Sequence, residues 1–196
     1  MNKHDELYLI LNNISPIPKS IWDEVKDKFK EKTIYKNEHL FRVDEWVNDF
    51  YFLIDGIARY YYLTIDGKDF NKSFAYKKGH LLSSISSVIK QEKSPFSVEV
   101  LSESFTVLYI SYEEFINIAS KYPQWNKLIF KIYEKLIIKK EKREADFLLL
   151  NATKRYEKFL KEYTPIVNIV PNYQIAAFLG ITEVALSRIR KNINKG

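Results

Sequence analysis

The chain predicts an α+β fold: a small antiparallel β-roll, then a long helix, then a C-terminal unit of short helices. Three observations carry this. Short apolar segments with glycine-containing turns run from Phe50 to Ile110, the texture of an antiparallel barrel or roll. Trp125, Ile129, Ile132 and Leu136 follow spacings of four, three and four, as on one face of a long helix. Residues 171–191, PNYQIAAFLGITEVALSRIRK, place apolar residues on both sides of a lone glycine, the pattern of two short helices joined by a tight turn.

In chain order, Leu7, Leu11, Ile21, Trp22, Val25 and Phe29 form apolar stripes that predict helix, split by SPIPKS at 15–20. From Thr33 the pattern becomes strand-like. Phe50–Ile54 and Ile57–Ile65 predict two strands, ending at Asp55-Gly56 and Asp66-Gly67; both pairs signal turns between strands. Phe70–Tyr76, Ser97–Leu101 and Phe105–Ile110 add three more, and Tyr112–Ala119 reads as a short helix. A longer helix starts near Pro123. Its stripe, widened by Leu128, Tyr133 and Ile137, stops at the polar run KKEKREAD (139–146). The pattern alone suits equally a coiled seam between subunits and ordinary core. A further helix spans about Ala152–Tyr163 and ends at Thr164-Pro165.

In the C-terminal segment, Ile175 and Leu179 share one face of the first helix, and Leu186 and Ile189 one face of the second. Ala176 is small where the helices cross, Gly180 admits a positive φ, and Thr182 can cap the second helix. Glu183, Val184, Ser187, Arg188, Arg190 and Lys191 are left facing outward. A helix with a hydroxyl and three cations on its free face suits the major groove of DNA.

Composition narrows the classes. The chain has 196 residues, 46% of them hydrophobic, enough for a substantial core. It has no cysteine, which excludes disulfides, cysteine-held zinc, iron–sulfur clusters and a cysteine nucleophile. No apolar run is long enough to span a membrane, and charges interrupt the N-terminus at once, unlike a secretory signal; a cytoplasmic location is expected. The net charge of +6 is uneven: residues 151–196 hold eight Lys/Arg, Lys195 among them, against three Glu. That asymmetry aims the C-terminal end at a polyanion. The Lys154–Lys161 stretch reads as a solvated helix face.

FYFLIDGIARYYYLTIDGK (50–68), SFTVLYISYEEF (104–115) and the 171–191 segment together resemble the Crp/Fnr family of bacterial transcription regulators. The last segment is similar to a subgroup common in Bacteroidetes-type bacteria. The resemblance covers nearly the whole chain. It implies a cyclic-nucleotide-binding-type β-roll as sensor (1–120), a long dimerisation helix and linker (121–150), and a helix-turn-helix DNA-binding domain (151–196). It implies a homodimer on a palindromic operator, with two recognition helices about 34–36 Å apart; double-stranded DNA, a second copy and RNA polymerase are the partners. Trp125, Ile129, Ile132 and Leu136 form the expected dimer seam. Glu183, Val184 and Arg188 match the recognition-helix positions that touch base edges, and Ser187, Arg190 and Lys191 suit phosphate. Thr182 opens that helix. Asn172, Tyr173 and Gln174 stand at a helix N-terminus, which attracts phosphate; Asn172 serves equally as a simple N-cap. So few residues follow the recognition helix that little or no wing is expected.

In nucleotide-binding members a Gly-Glu pair and an Arg-Ser pair hold the ribose and the cyclic phosphate. Those positions fall here on Ser83 and Ser84, and on Pro95 and Phe96, next to Ser97. No Lys or Arg lies between Ser94 and Ser120. A buried phosphate without a cation or several donors is defeated by desolvation, so cAMP and cGMP are expected not to bind in the usual manner; Lys90 or Lys93 could supply a charge. The pocket then takes an uncharged ligand or nothing, and the serines around it read as a pocket lining or, more commonly, a solvated loop. No cofactor or metal is expected. His4, His39 and His80 are scattered surface candidates without ligand spacing. An enzyme on a cupin-like roll therefore has little support, and no hydrolase triad, P-loop or dinucleotide fingerprint appears. A regulator whose C-terminal unit binds protein instead of DNA is the alternative.

Overall fold

The computed structural model describes residues 1–193; Lys195 lies outside them. α1 (Lys3–Ile14) and α2 (Lys19–Val25) precede the strands β1 (Lys30–Tyr35), β2 (His39–Phe41), β3 (Asp49–Asp55), β4 (Ala58–Leu63), β5 (Asp69–Ala75) and β6 (Leu81–Leu82). α3 (Ile85–Lys90), β7 (Ser97–Val100), β8 (Ser104–Ser111) and α4 (Tyr112–Lys121) follow. α5 (Pro123–Leu149), α6 (Ala152–Glu162), α7 (Asn172–Leu179) and α8 (Glu183–Ile193) complete the chain. Pro16 and Pro18 break the first helical stretch as expected. Capping sets other boundaries: the side chains of Asn2, Ser111 and Asn151 accept from the N–H groups of Asp5, Glu114 and Lys154, supplying partners that the first turns of α1, α4 and α6 lack. Pro123 starts α5 at a position where its missing N–H costs nothing.

The strands form two four-stranded antiparallel sheets, β1-β8-β3-β6 and β2-β7-β4-β5. Asp66-Gly67 closes the β4–β5 hairpin, Leu63 facing Asp69. Asp55-Gly56 does not close a hairpin; β3 and β4 belong to different sheets, so this turn carries the chain between them. Gly56 has φ +107°, and a Cβ there would stand 2.5 Å from the Ser104 carbonyl oxygen. The position therefore takes glycine for the crossover.

Apolar residues pack in three places. Phe41, Leu53, Tyr60, Leu82, Phe96, Val98 and Phe105 fill the space between the sheets. Trp22, Phe29, Phe52, Phe115 and Trp125 pack α1, α2, α4 and α5 against the outer face of the first sheet. The third cluster joins α6, α7 and α8 and takes in Ile57 and Phe74 from the roll. The C-terminal unit is thus seated on β5.

The expected dimer seam turns inward. Trp125 and Ile132 are buried in the second of these clusters, and Ile129 and Leu136 pack against it. The polar run at 139–146 does not interrupt the helix, which continues to Leu149. The opposite ridge carries Phe130, Ile137 and Leu148, exposed at 67%, 63% and 77%. They lie seven and eighteen residues along, close to two and five whole turns. Spacing alone could not tell these faces apart, because apolar residues occur all round the first half of α5.

Candidate nucleic-acid interface

The α7–α8 turn is built by backbone chemistry. Gly180 takes φ +67°, ψ +37°. The N–H groups of Gly180 and Ile181 donate to the carbonyls of Ala177 and Ala176, at 3.3 and 3.0 Å. This is the Schellman arrangement, which needs a residue at positive φ. A Cβ on Gly180 would also stand 2.9 Å from the Phe147 ring, so the end of α5 braces the turn. Thr182 Oγ1 accepts from the Ala185 N–H at 3.2 Å and starts α8. Leu186 is buried.

The outward face of α8 presents Glu183, Val184, Ser187, Arg188 and Lys191, all exposed. Arg190 does not join them. Its Nε donates to the Tyr156 hydroxyl at 2.7 Å and its Nη1 to Asn172 Oδ1 at 2.5 Å. Arg190 therefore ties α8 to α6 and α7, where a free phosphate contact was expected. Asn172 is not the N-cap either; Pro171 holds that position and Asn172 is the first helical residue. Tyr173 is exposed beside it. Gln174, expected at phosphate, is buried against the roll. Its carbonyl accepts from Asn71 Nδ2 at 2.8 Å and its Nε2 donates to the Tyr173 hydroxyl. Along α6, Lys154 and Lys161 are exposed as expected, but Arg155 and Lys158 are held by partners. Arg155 donates to the carbonyls of Leu150 and Leu179, and Lys158 pairs with Asp146 at 2.5 Å.

The region expected to hold an effector is closed rather than loop-like. Ser83, Ser84, Ser87, Ser94 and Ser97 are all buried. Ser83 Oγ donates to the Asp49 carbonyl, and Ser94 Oγ to that of Phe96. Ser87 Oγ and Ser97 Oγ accept from the N–H groups of Val47 and Val43. These hydroxyls satisfy main-chain groups that the short strands leave unpaired. Pro95 is exposed, but Phe96 points inward and packs its ring 5.8 Å from both Phe41 and Tyr60. Lys72, a cation missed in the sequence, stands 3.7 Å over the Phe96 ring. Burial, and then the charge of Lys140, lower its pKa to about 8. Only the pairing of β4 with β5 and β7 brings Lys72 to Phe96, so no local signal could have found it.

A buried charge network stands next to it. Arg59 on β4 donates to Glu99 and Asp69, each at 2.6 Å, and to Asn71 Oδ1 at 3.1 Å. Its guanidinium also lies 4.2 Å from the Tyr61 ring centroid. Two carboxylates already neutralise it, which leaves no free charge for a ligand phosphate. The histidines are half-buried rather than on the surface: His4 bonds to the Phe29 carbonyl, His39 to the Tyr61 hydroxyl, and the His80 ring lies tilted 6.2 Å from that of Tyr60.

Residues 31–122 match the cyclic nucleotide-binding domain family, so the roll has that domain's architecture. No curated protein matches the chain in sequence at a significant level. Among solved structures, the chain is similar to the c-di-GMP responsive global regulator CLP of Xanthomonas campestris, at TM-score 0.72 and 13% identity over 90% of this chain and 92% of that one. FixK2 of Bradyrhizobium japonicum gives TM-score 0.72 and 18% identity over 85% of each chain. A CooA mutant from Carboxydothermus hydrogenoformans gives 0.69 and 17%, over 96% of this chain and 84% of that one. At such identities the likeness is one of fold. It extends beyond the roll to most of the chain. No helix among the described residues is long and apolar enough to cross a membrane.

Proposed function

We propose that this chain is a DNA-binding transcription regulator of the Crp/Fnr type, acting as a homodimer without cAMP or cGMP. One observation carries the reading: α8 buries Leu186 in its own unit and presents Glu183, Val184, Ser187, Arg188 and Lys191 outward, behind a turn fixed by Gly180. The whole-chain likeness to a global regulator supports it. Arg188 can bind guanine O6 and N7 in bidentate fashion, and Glu183 can accept from a cytosine amino group. Ser187, Lys191 and Tyr173 suit phosphate, whereas Arg190, Asn172 and Gln174 hold the unit together. Selection of bound sites from random duplexes is expected to return a palindrome with half-sites about one helical turn apart. Arg188→Ala then lowers affinity for that site by about 5- to 150-fold and relaxes one base position, while Lys191→Ala weakens all sequences evenly. A pool without enrichment, or an Arg188→Ala variant with unchanged affinity, refutes the assignment.

The same reading leaves the roll without a cyclic nucleotide. Phe96 occupies the interior, and Arg59 is spent on Glu99 and Asp69. Lys72 is held over the Phe96 ring, but burial lowers its pKa to about 8, so the environment already disfavours the charge that phosphate burial here would need. Millimolar cAMP is expected to leave the melting temperature unchanged; a clear rise contradicts this.

A further inference from the structure

A cleft of about 890 Å³ opens between the roll, α5 and α6, floored by the β5–β6 loop and the end of α1. Its size falls in the range of small-molecule sites. Its charge is one-sided. Nine of its 25 lining residues are Lys or Arg, against two carboxylates, Asp146 and Glu162; the chain as a whole has 31 Lys and Arg in 196 residues. The enrichment thus exceeds what a lysine-rich composition supplies.

Partners explain only some of these cations. Lys142 and Lys158 pair with the two carboxylates, and Lys78 pairs with Glu6. Arg143 and Arg155 donate to main-chain carbonyls. Lys77, Lys135, Lys139 and Lys161 have no carboxylate partner among the described residues. They come from three elements: Lys77 from the roll, Lys135 and Lys139 from α5, Lys161 from α6. Lys139 reaches Ser73 Oγ at 3.0 Å. Burial first, then the charges of Lys77 and Arg143, lower its pKa to about 8, with Glu162 opposing. Like charges held together in a concave space repel, and their field concentrates a counter-ion there. Tyr76, Phe147 and Tyr163 supply aromatic wall.

We propose that this cleft binds a small polyanion carrying two or more phosphate groups, whose charge bridges the roll, α5 and α6. No residue of α8 lines the cleft, so the proposal does not rest on the DNA-binding reading.

Tripolyphosphate is the probe. Titration calorimetry at physiological salt is expected to show saturable binding of one ion per chain, with a rise in melting temperature. Lys77→Gln/Lys139→Gln is expected to lose affinity by about 10-fold or more, as the loss of charge-assisted bonds requires, and Lys77→Gln alone by less. Both changes relieve repulsion, so the fold is retained. Lys32→Gln/Lys127→Gln, outside the cleft, keeps wild-type affinity. Absence of saturable binding, several ions per chain, or equal binding by the cleft and control variants (an adventitious ion only) overturns the proposal. A parallel titration with duplex DNA separates the two readings. If the cleft variant loses DNA affinity as steeply as tripolyphosphate affinity, the cleft belongs to a DNA surface and the proposal falls. If the chain ignores DNA altogether, the tripolyphosphate result still stands on its own.

Discussion

Arg59→Ala is expected to lower the stability of the folded chain by about 3–5 kcal/mol, the cost of removing one partner from a buried ionic network. For a chain of this size that is a fall in melting temperature of roughly 6–20 °C. Arg59 is 6% exposed. Its side chain bonds Glu99 directly across the β4–β7 ladder and Asp69 across the β4–β5 hairpin. Burial disfavours the charge, but the two carboxylates outweigh it and hold the pKa above the usual arginine value. Truncation leaves Glu99 and Asp69 facing each other without a cation, and leaves buried Asn71 Oδ1 without its donor. Water reaches both carboxylates in part, which places the effect toward the lower end of the range. Arg59→Met keeps the stem beside Tyr61 and isolates the charge. If Arg59→Met is as stable as wild type, packing and not the ion network is what Arg59 contributes.

The consequence extends past the roll. Asn71 accepts from Arg59 and donates to the Gln174 carbonyl on α7, while its own carbonyl accepts from Arg143 on α5. Arg143 in turn donates to the Phe178 carbonyl. One asparagine therefore connects the ion network, the long helix and the first helix of the C-terminal unit. Arg59→Ala should loosen that connection, and limited proteolysis at the Leu150–Asn151 link between α5 and α6 reports it.

How far this was legible in the sequence depends on the range of each interaction. The strand segments and the broken N-terminal helix follow from alternation, proline and glycine, all local signals. The α7–α8 unit is legible for the same reason: Gly180, Thr182 and the apolar spacing act within a few residues. The two Asp-Gly pairs look alike in sequence, yet only Asp66-Gly67 joins paired strands, because sheet membership is set by distant partners. Arg59, Asn71 and Lys72 gave no signal; their roles arise from cross-strand register and from the seat of α7 on β5. Arg190 read as a free cation because helical spacing places it near the outer face. The partner that takes it, Tyr156, lies on another helix.

Phe130→Asp/Ile137→Asp is expected to give a folded monomer whose affinity for its selected palindrome falls by about 10²–10⁴-fold, the loss when two linked sites become independent. Trp125, Leu128 and Ile132 already close the chain's own core, so they cannot also serve a partner. Phe130 and Ile137 are solvent-facing apolar residues on the opposite ridge, continued by Leu148. An apolar ridge of this length on a long helix is what a second copy of the same helix would cover. A charge at these exposed positions leaves the single chain's packing intact. Ile132→Asp, by contrast, buries a carboxylate beneath the roll and should unfold the chain instead of separating subunits. Sedimentation at micromolar concentration, with circular dichroism as the check on folding, reads the difference. A double variant that remains dimeric would place the subunit contact elsewhere than on this ridge.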